Sequence, residues 1–173
     1  MGADIHAYIE YRPRTPQGAE WASFNDGEIW IGRSYKLFHA LAGVRKRENA
    51  TSELIPPRGI PDDLGPAAFR TLYFPVFSQT EIVDDGPLIV TPFAIREGLP
   101  PETRLVSIRG GDYFLDEYAH SHSWLSFEEI HLAITHLGIR AEEELEVEFH
   151  AAMSAMRTLE SRYETRLVFW FDS

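Results

Sequence analysis

The sequence predicts an α+β fold: one domain over residues 1–173, a mostly antiparallel sheet that pairs the N- and C-terminal strands, and about three helices. Three observations carry that prediction. The opening run ADIHAYIEYR alternates apolar and polar residues, the period of a strand with one face on a core. The closing run LVFWF is apolar throughout, which suits a central strand covered on both faces. Between them the β-rich runs cluster and the helical patterns gather toward the two ends, whereas repeated βαβ units would alternate.

Residues 3–12 send Ala3, Ile5, Ala7, Ile9 and Tyr11 to one face and Asp4, His6, Tyr8, Glu10 and Arg12 to the other. PRTPQGAEW then reads as a turn, and EIWIGR as a second short strand. In RSYKLFHALAGVRKR the period changes to a helix, with Ser34 as N-cap and Leu37, Phe38, Leu41 and Val44 on one stripe. From Glu48 to Pro66 the density of proline stops both helix and ladder and predicts a long ordered loop, the one place where a domain boundary could be drawn. RTLYFPVF, PLIVTPFAI and TRLVSIRGGDYFL are β-rich, with Pro75 and Pro92 marking edges or bulges. SFEEIHLAITHLG carries the clearest local signal. Ser126 and Glu129 form a capping box, Phe127, Ile130, Ile134 and Leu137 a buried stripe, and Gly138 the stop. A longer helix follows from about Ala141, with a seam through Leu145, Phe149, Ala152, Met156, Leu159 and Tyr163; as an interface, the 141–164 helix would make a homo-oligomer.

Composition narrows the chemistry. The chain has no cysteine, which excludes disulfides and thiolate catalysis and leaves His, Asp, Glu and backbone oxygen for any metal. A net charge of -11 argues against an extended nucleic-acid surface, because counterion release needs clustered Lys and Arg. A few local arginines would still hold a small phosphorylated ligand. No leader pattern and no membrane-length apolar stretch is visible, so a cytoplasmic location without membrane association is expected.

Two segments concentrate metal-ligand types. One is Asp4-Ile5-His6, with Glu10 further along the same face. The other is GGDYFLDEYAHSHSWL, with Asp112, Asp116, Glu117, His120 and His122. Brought together, Asp4, His6, His120 and His122 could hold a divalent ion (Zn, Mn or Mg) and activate a bound water, with Asp116 or Glu117 as general base. The plainer reading is a solvated strand face and two surface histidines. A second use of the same segments needs no metal: Arg33, Lys36, Arg58 and Arg109 would neutralise phosphate, and Trp30, Tyr35, Tyr113 or Trp124 would stack on a base. His39, His131, His136 and His150 lie on predicted helices and read as structural or exposed. No zincin, P-loop, Gly-x-Ser-x-Gly or dinucleotide-binding motif occurs.

The landmarks MGADIH, RSYKLFHALAGVR, PPRGIPDD and HSHSWL resemble an uncharacterised family of bacteriophage and bacterial proteins that typically begin Met-Gly-Cys-Asp-Ile-His. The shared positions are Asp4, His6, Glu10, Arg33, Tyr35, Leu37, Phe38, Arg58, Gly59, Asp62, His122, Ser123 and Trp124. Ala3 stands where cysteine is usual, and Ser34-Tyr35-Lys36 where Asn-Tyr-Asp is common. The resemblance implies a phage-associated accessory protein whose polar landmarks, drawn from distant segments, meet in one pocket.

Two functions are therefore expected of a pocket built from Asp4, His6, Arg33, Tyr35, Arg58, Asp62, His122, Ser123 and Trp124. In the first it recognises a small phosphorylated, nucleotide-like ligand and hydrolyses it with a divalent metal. There Asp4, His6 and His122 act as ligands or proton-transfer groups while Arg33 and Arg58 neutralise phosphate. In the second it is a non-catalytic binder that sequesters a nucleotide signal or a host protein.

Overall fold

The computed structural model describes residues 2–15, 18–78, 94–99 and 103–172. PLIVTPFAI and Pro92 fall almost wholly outside them. The architecture is α+β, as the patterning predicts, with two four-stranded sheets and five α-helices among the described residues. The chain divides into two compact units, Met1–Ala68 with Tyr118–Ser173, and Phe69–Glu117. The divisions fall after the proline-rich loop and just before the HSHSWL strand, at neither of which proline marks a linker.

In the larger unit the sheet order is β2-β1-β8-β7, where β1 is Asp4–Pro13, β2 Ala22–Ser23, β7 His120–Leu125 and β8 Tyr163–Asp172. The first and last strands pair antiparallel over their whole length, from Asp4 opposite Asp172 to Pro13 opposite Tyr163. LVFWF is central, as its two apolar faces require, and β8 is buried from Thr165 to Phe171. EIWIGR forms no strand. It runs as irregular chain held to β1 by the Ile29 amide donating to the Ala7 carbonyl at 2.8 Å.

One face of this sheet carries the core. Ile5, Ala7 and Ile9 of β1 and Leu167, Phe169 and Phe171 of β8 pack with Leu37, Phe38 and Leu41 of α1 (Tyr35–Ala42). Ile130 and Ile134 of α3 (Phe127–His136), and Phe149, Met153 and Met156 of α5 (Val147–Glu160), complete it. Both predicted caps form: the Ser34 hydroxyl accepts from the Leu37 amide, and Ser126 with Glu129 closes a reciprocal capping box. The long helix expected from Ala141 is broken into α4 (Ala141–Glu144) and α5, because Leu145 and Glu146 are extended. The apolar spacing survives the break, since buried Leu145 still reaches the core. Of the expected seam, Leu145, Phe149, Ala152 and Met156 lie in that core.

In the smaller unit β3 (Tyr73–Phe77), β4 (Ala94–Ile95), β5 (Leu105–Ile108) and β6 (Gly111–Leu115) lie in the order β4-β3-β6-β5. The β5–β6 hairpin turns at Arg109 and Gly110, both at positive φ (52° and 79°), so IRGGD is a tight turn. RTL belongs to a helix, α2 (Pro66–Leu72), rather than to the strand that follows it. No helix among the described residues is long and apolar enough to cross a membrane.

Candidate functional site

The opening Asp-Ile-His sits on a face that is charged and largely internally paired. The His6 ring stacks on its cross-strand neighbour Trp170, with centroids 5.6 Å apart. Its Nε2 lies 3.2 Å from Asp172 Oδ2 and its Nδ1 3.2 Å from Glu28 Oε1. The Glu28 carboxylate foremost, against the opposing pull of burial and with Asp172 adding to it, raises the His6 pKa to about 9. His6 is thus held largely as an imidazolium at neutral pH, between two carboxylates. Asp4 is paired with Arg33, Oδ1 to Nε at 3.1 Å. Arg33 is itself placed by Gly32, whose φ of 84° and closeness to Glu146 leave no room for a side chain; the Arg33 amide donates to Glu146 Oε2 at 2.8 Å.

His120, on the same sheet, does not join that cluster. β8 lies between β1 and β7, so His6 and the HSHSWL strand are two strand spacings apart, about 10 Å. His120 is opposite Phe171 on the core side, while His6 is opposite Trp170 on the other face. The His120 Nδ1 meets Ser121 Oγ at 3.1 Å, and its ring stacks near Phe171. Among the described residues, no group of three or more His, Asp or Glu side chains is placed to hold a metal ion. Asp112 lies in the smaller unit, where Ser107 and then Arg96 hold its carboxyl below the usual range.

Arg58, Ser123 and Trp124 do come together. The proline-rich loop docks on β7, with the Gly59 amide donating to the His122 carbonyl at 2.9 Å and the Arg58 amide to Ser123 Oγ at 3.2 Å. The Arg58 guanidinium lies 4.5 Å over the Trp124 ring and pairs with Glu129 of the capping box. These contacts fasten a loop. Asp62 is exposed, and it is the next residue, Asp63, that enters a network.

That network was not legible as a site. Glu10 and Arg166 face each other across β1 and β8, both buried. Arg166 donates from Nε at 2.9 Å and Nη2 at 2.7 Å to Glu10 Oε2, and the Gly65 amide donates to Oε1 at 2.7 Å. A side chain at Gly65 would collide with that carboxylate. Asp63 takes Arg166, Arg12 and the Trp21 indole N–H at 2.7, 3.1 and 2.8 Å. The two guanidiniums lie 4.0 and 4.3 Å from the Trp21 ring. Burial pushes the Glu10 carboxyl up, against the pull of Arg166. Every polar group named here has its partner, so the network is a structural clasp.

An open site lies instead beside α1. A cleft of about 530 Å3 is lined by Tyr35, Lys36 and His39 of the helix, by Arg45, Arg47 and Thr51 of the chain that follows, and by Gly138 and Glu144. Gly43 and Arg45, at φ of 67° and 58°, turn the chain back so that Arg45 and Arg47 reach the helix's own flank. The Arg45 guanidinium lies 5.8 Å from the exposed Tyr35 ring. His39 holds a buried Nε2 with no hydrogen-bond partner among the described residues. Among the described residues that line the cleft, three are cations, one an imidazole and one a carboxylate, Glu144, in a chain of net charge -11.

No protein-family model, no curated protein and no solved structure matches the chain. Tyr35 and Lys36 were legible as candidates at a helix start. His39, Arg45 and Arg47 were not, since His39 reads as structural or exposed and VRKR reads as the end of the same helix, whereas the helix stops at Ala42 and the chain turns at Gly43.

Proposed function

We propose that the chain binds a small phosphorylated, nucleotide-like molecule in the cleft beside α1 and retains it without turning it over. One observation supports this above the rest: Lys36, Arg45 and Arg47 line one cleft with the exposed face of Tyr35 and the unsatisfied nitrogen of His39. Guanidinium and ammonium groups suit phosphate, and an aromatic face suits a base. A volume of about 530 Å3 is in the range of small-molecule sites, about 300–1,000 Å3. Retention is favoured over metal-dependent hydrolysis because the one lining carboxylate, Glu144, is engaged with Lys36 and is not free to hold a metal ion.

The test is isothermal titration with AMP, ADP and ATP, followed by chromatography of the incubated nucleotide, with and without Mg or Mn. Saturable binding with the nucleotide recovered intact is expected. Arg47→Ala, and Arg45→Asn (asparagine tolerates the positive φ of 58°), should each weaken binding about tenfold while leaving the fold unchanged. Absence of binding, or affinities indifferent to both substitutions, defeats the proposal. Metal-dependent product formation returns the hydrolase reading to first place.

A further inference from the structure

Within the cleft, one carboxylate already occupies the place of a ligand anion. Glu144 Oε2 meets Lys36 Nζ, and Glu144 Oε1 accepts the Arg140 amide at 3.0 Å. Lys36 first, and the Arg140 amide next, hold the Glu144 carboxyl below its usual range, so it is an anion throughout the neutral region. Its side chain is 18% exposed against 59% for Lys36. The carboxylate is therefore the fixed member of the pair, at the end of α4, and the lysine the member that can swing.

We infer that Glu144 is an internal competitor for Lys36, and that it makes the cleft select a terminal phosphate monoester, a dianion, over a monoanionic phosphodiester. The inference rests on the phosphate-binding reading of the same cleft and adds its selectivity. A monoanion brings Lys36 the charge that Glu144 already supplies, so displacing the carboxylate gains it nothing. A dianion brings twice that charge. The selecting element is thus a repulsive carboxylate built beside the attractive cations.

AMP and 3′,5′-cyclic AMP share base and ribose and differ in this charge, and they are the probes. Titration of the full chain at low salt should show AMP binding at least about tenfold tighter than cyclic AMP. Glu144→Gln keeps an acceptor for the Arg140 amide and removes the charge. It should tighten cyclic AMP about tenfold and AMP less, so that the two converge to within about threefold. Lys36→Gln should weaken AMP more than cyclic AMP, and Glu144→Gln in that background should tighten both by relieving the bared carboxylate. Salt at 0.5 M should shrink every difference, because these groups face solvent. Circular dichroism melts establish that each variant is folded. An AMP to cyclic AMP ratio unchanged by Glu144→Gln overturns the selectivity while leaving nucleotide binding in place. Failure of both wild type and Glu144→Gln to bind either probe overturns the binding reading and the selectivity with it.

Discussion

Two regions of one sheet face put charged groups to different uses. At Glu10–Arg166 the ion pair is closed off: both side chains are buried, the carboxylate has three hydrogen bonds, and Asp63 and Trp21 complete the guanidinium's surroundings. Four residues away along the same strand, His6 holds its charge between Asp172 and Glu28, which are 42% and 39% exposed. The first region is costly to break because a lone charge would be left without water. The second is tunable because water can replace either partner. A strand whose polar face looks uniform in sequence therefore contains a rigid clasp at one end and a titratable one at the other.

The largest effect should come from breaking the buried clasp. Arg166→Met leaves Glu10 as an uncompensated buried carboxylate, and urea denaturation should show a loss of about 3–5 kcal/mol. Adding Glu10→Gln, which retains an acceptor for the Gly65 amide, should recover most of it, because both charges are then gone. A single-variant cost below about 1 kcal/mol would mean that water reaches Glu10, and the contrast with His6 would collapse.

The His6 region should respond to pH. Its folded pKa is raised to about 9 from an ordinary 6.5, so the folded state binds the proton more tightly than the unfolded chain. The resulting stability is fully present below pH 6.5 and is lost as pH rises through 9. Its size is roughly 1 kcal/mol, since solvent screens exposed partners. Stability curves of wild type from pH 6 to 9.5 should fall across that window, and His6→Gln should flatten the fall. Titration of the His6 ring by NMR with a midpoint near 6.5 would instead show Glu28 and Asp172 pairing with it weakly.

The sequence carried the period of this face but not its partners. Alternation placed Asp4, His6 and Glu10 on one side correctly, because side-chain direction in a strand is local geometry. Which residue stands across from each is a matter of register, and nothing local to LVFWF points to the Arg166 and Asp172 that flank it. Asp62 was named as a position shared with the resembled family, and the neighbouring loop residue Asp63 was passed over, since an irregular chain has no period from which side-chain direction can be read. Glu28 was hidden by reading EIWIGR as a strand. The helix caps were legible because Ser34, Ser126 and Glu129 bond within one turn. The cleft beside α1 depends on a chain reversal and on α4, and only Gly43 hinted at the first.

The smallest effect should come one rung beyond the buried clasp, and it isolates burial as the variable. Arg12 and Glu164 face each other two residues past Glu10 and Arg166 and repeat their chemistry, with Nε to Oε2 at 2.7 Å and Nη2 to Oε1 at 3.1 Å. Geometry is as good as in the buried pair, but Glu164 is 51% exposed. Water can take over its hydrogen bonds, and Arg12 keeps Asp63 and the Trp21 face when Glu164 is neutralised. Glu164→Gln should therefore cost no more than about 1 kcal/mol, and less in high salt. If denaturation instead shows a loss approaching that of Arg166→Met, the network acts as one cooperative unit reaching to the surface, and the boundary between rigid clasp and solvated rim lies further out than Arg12.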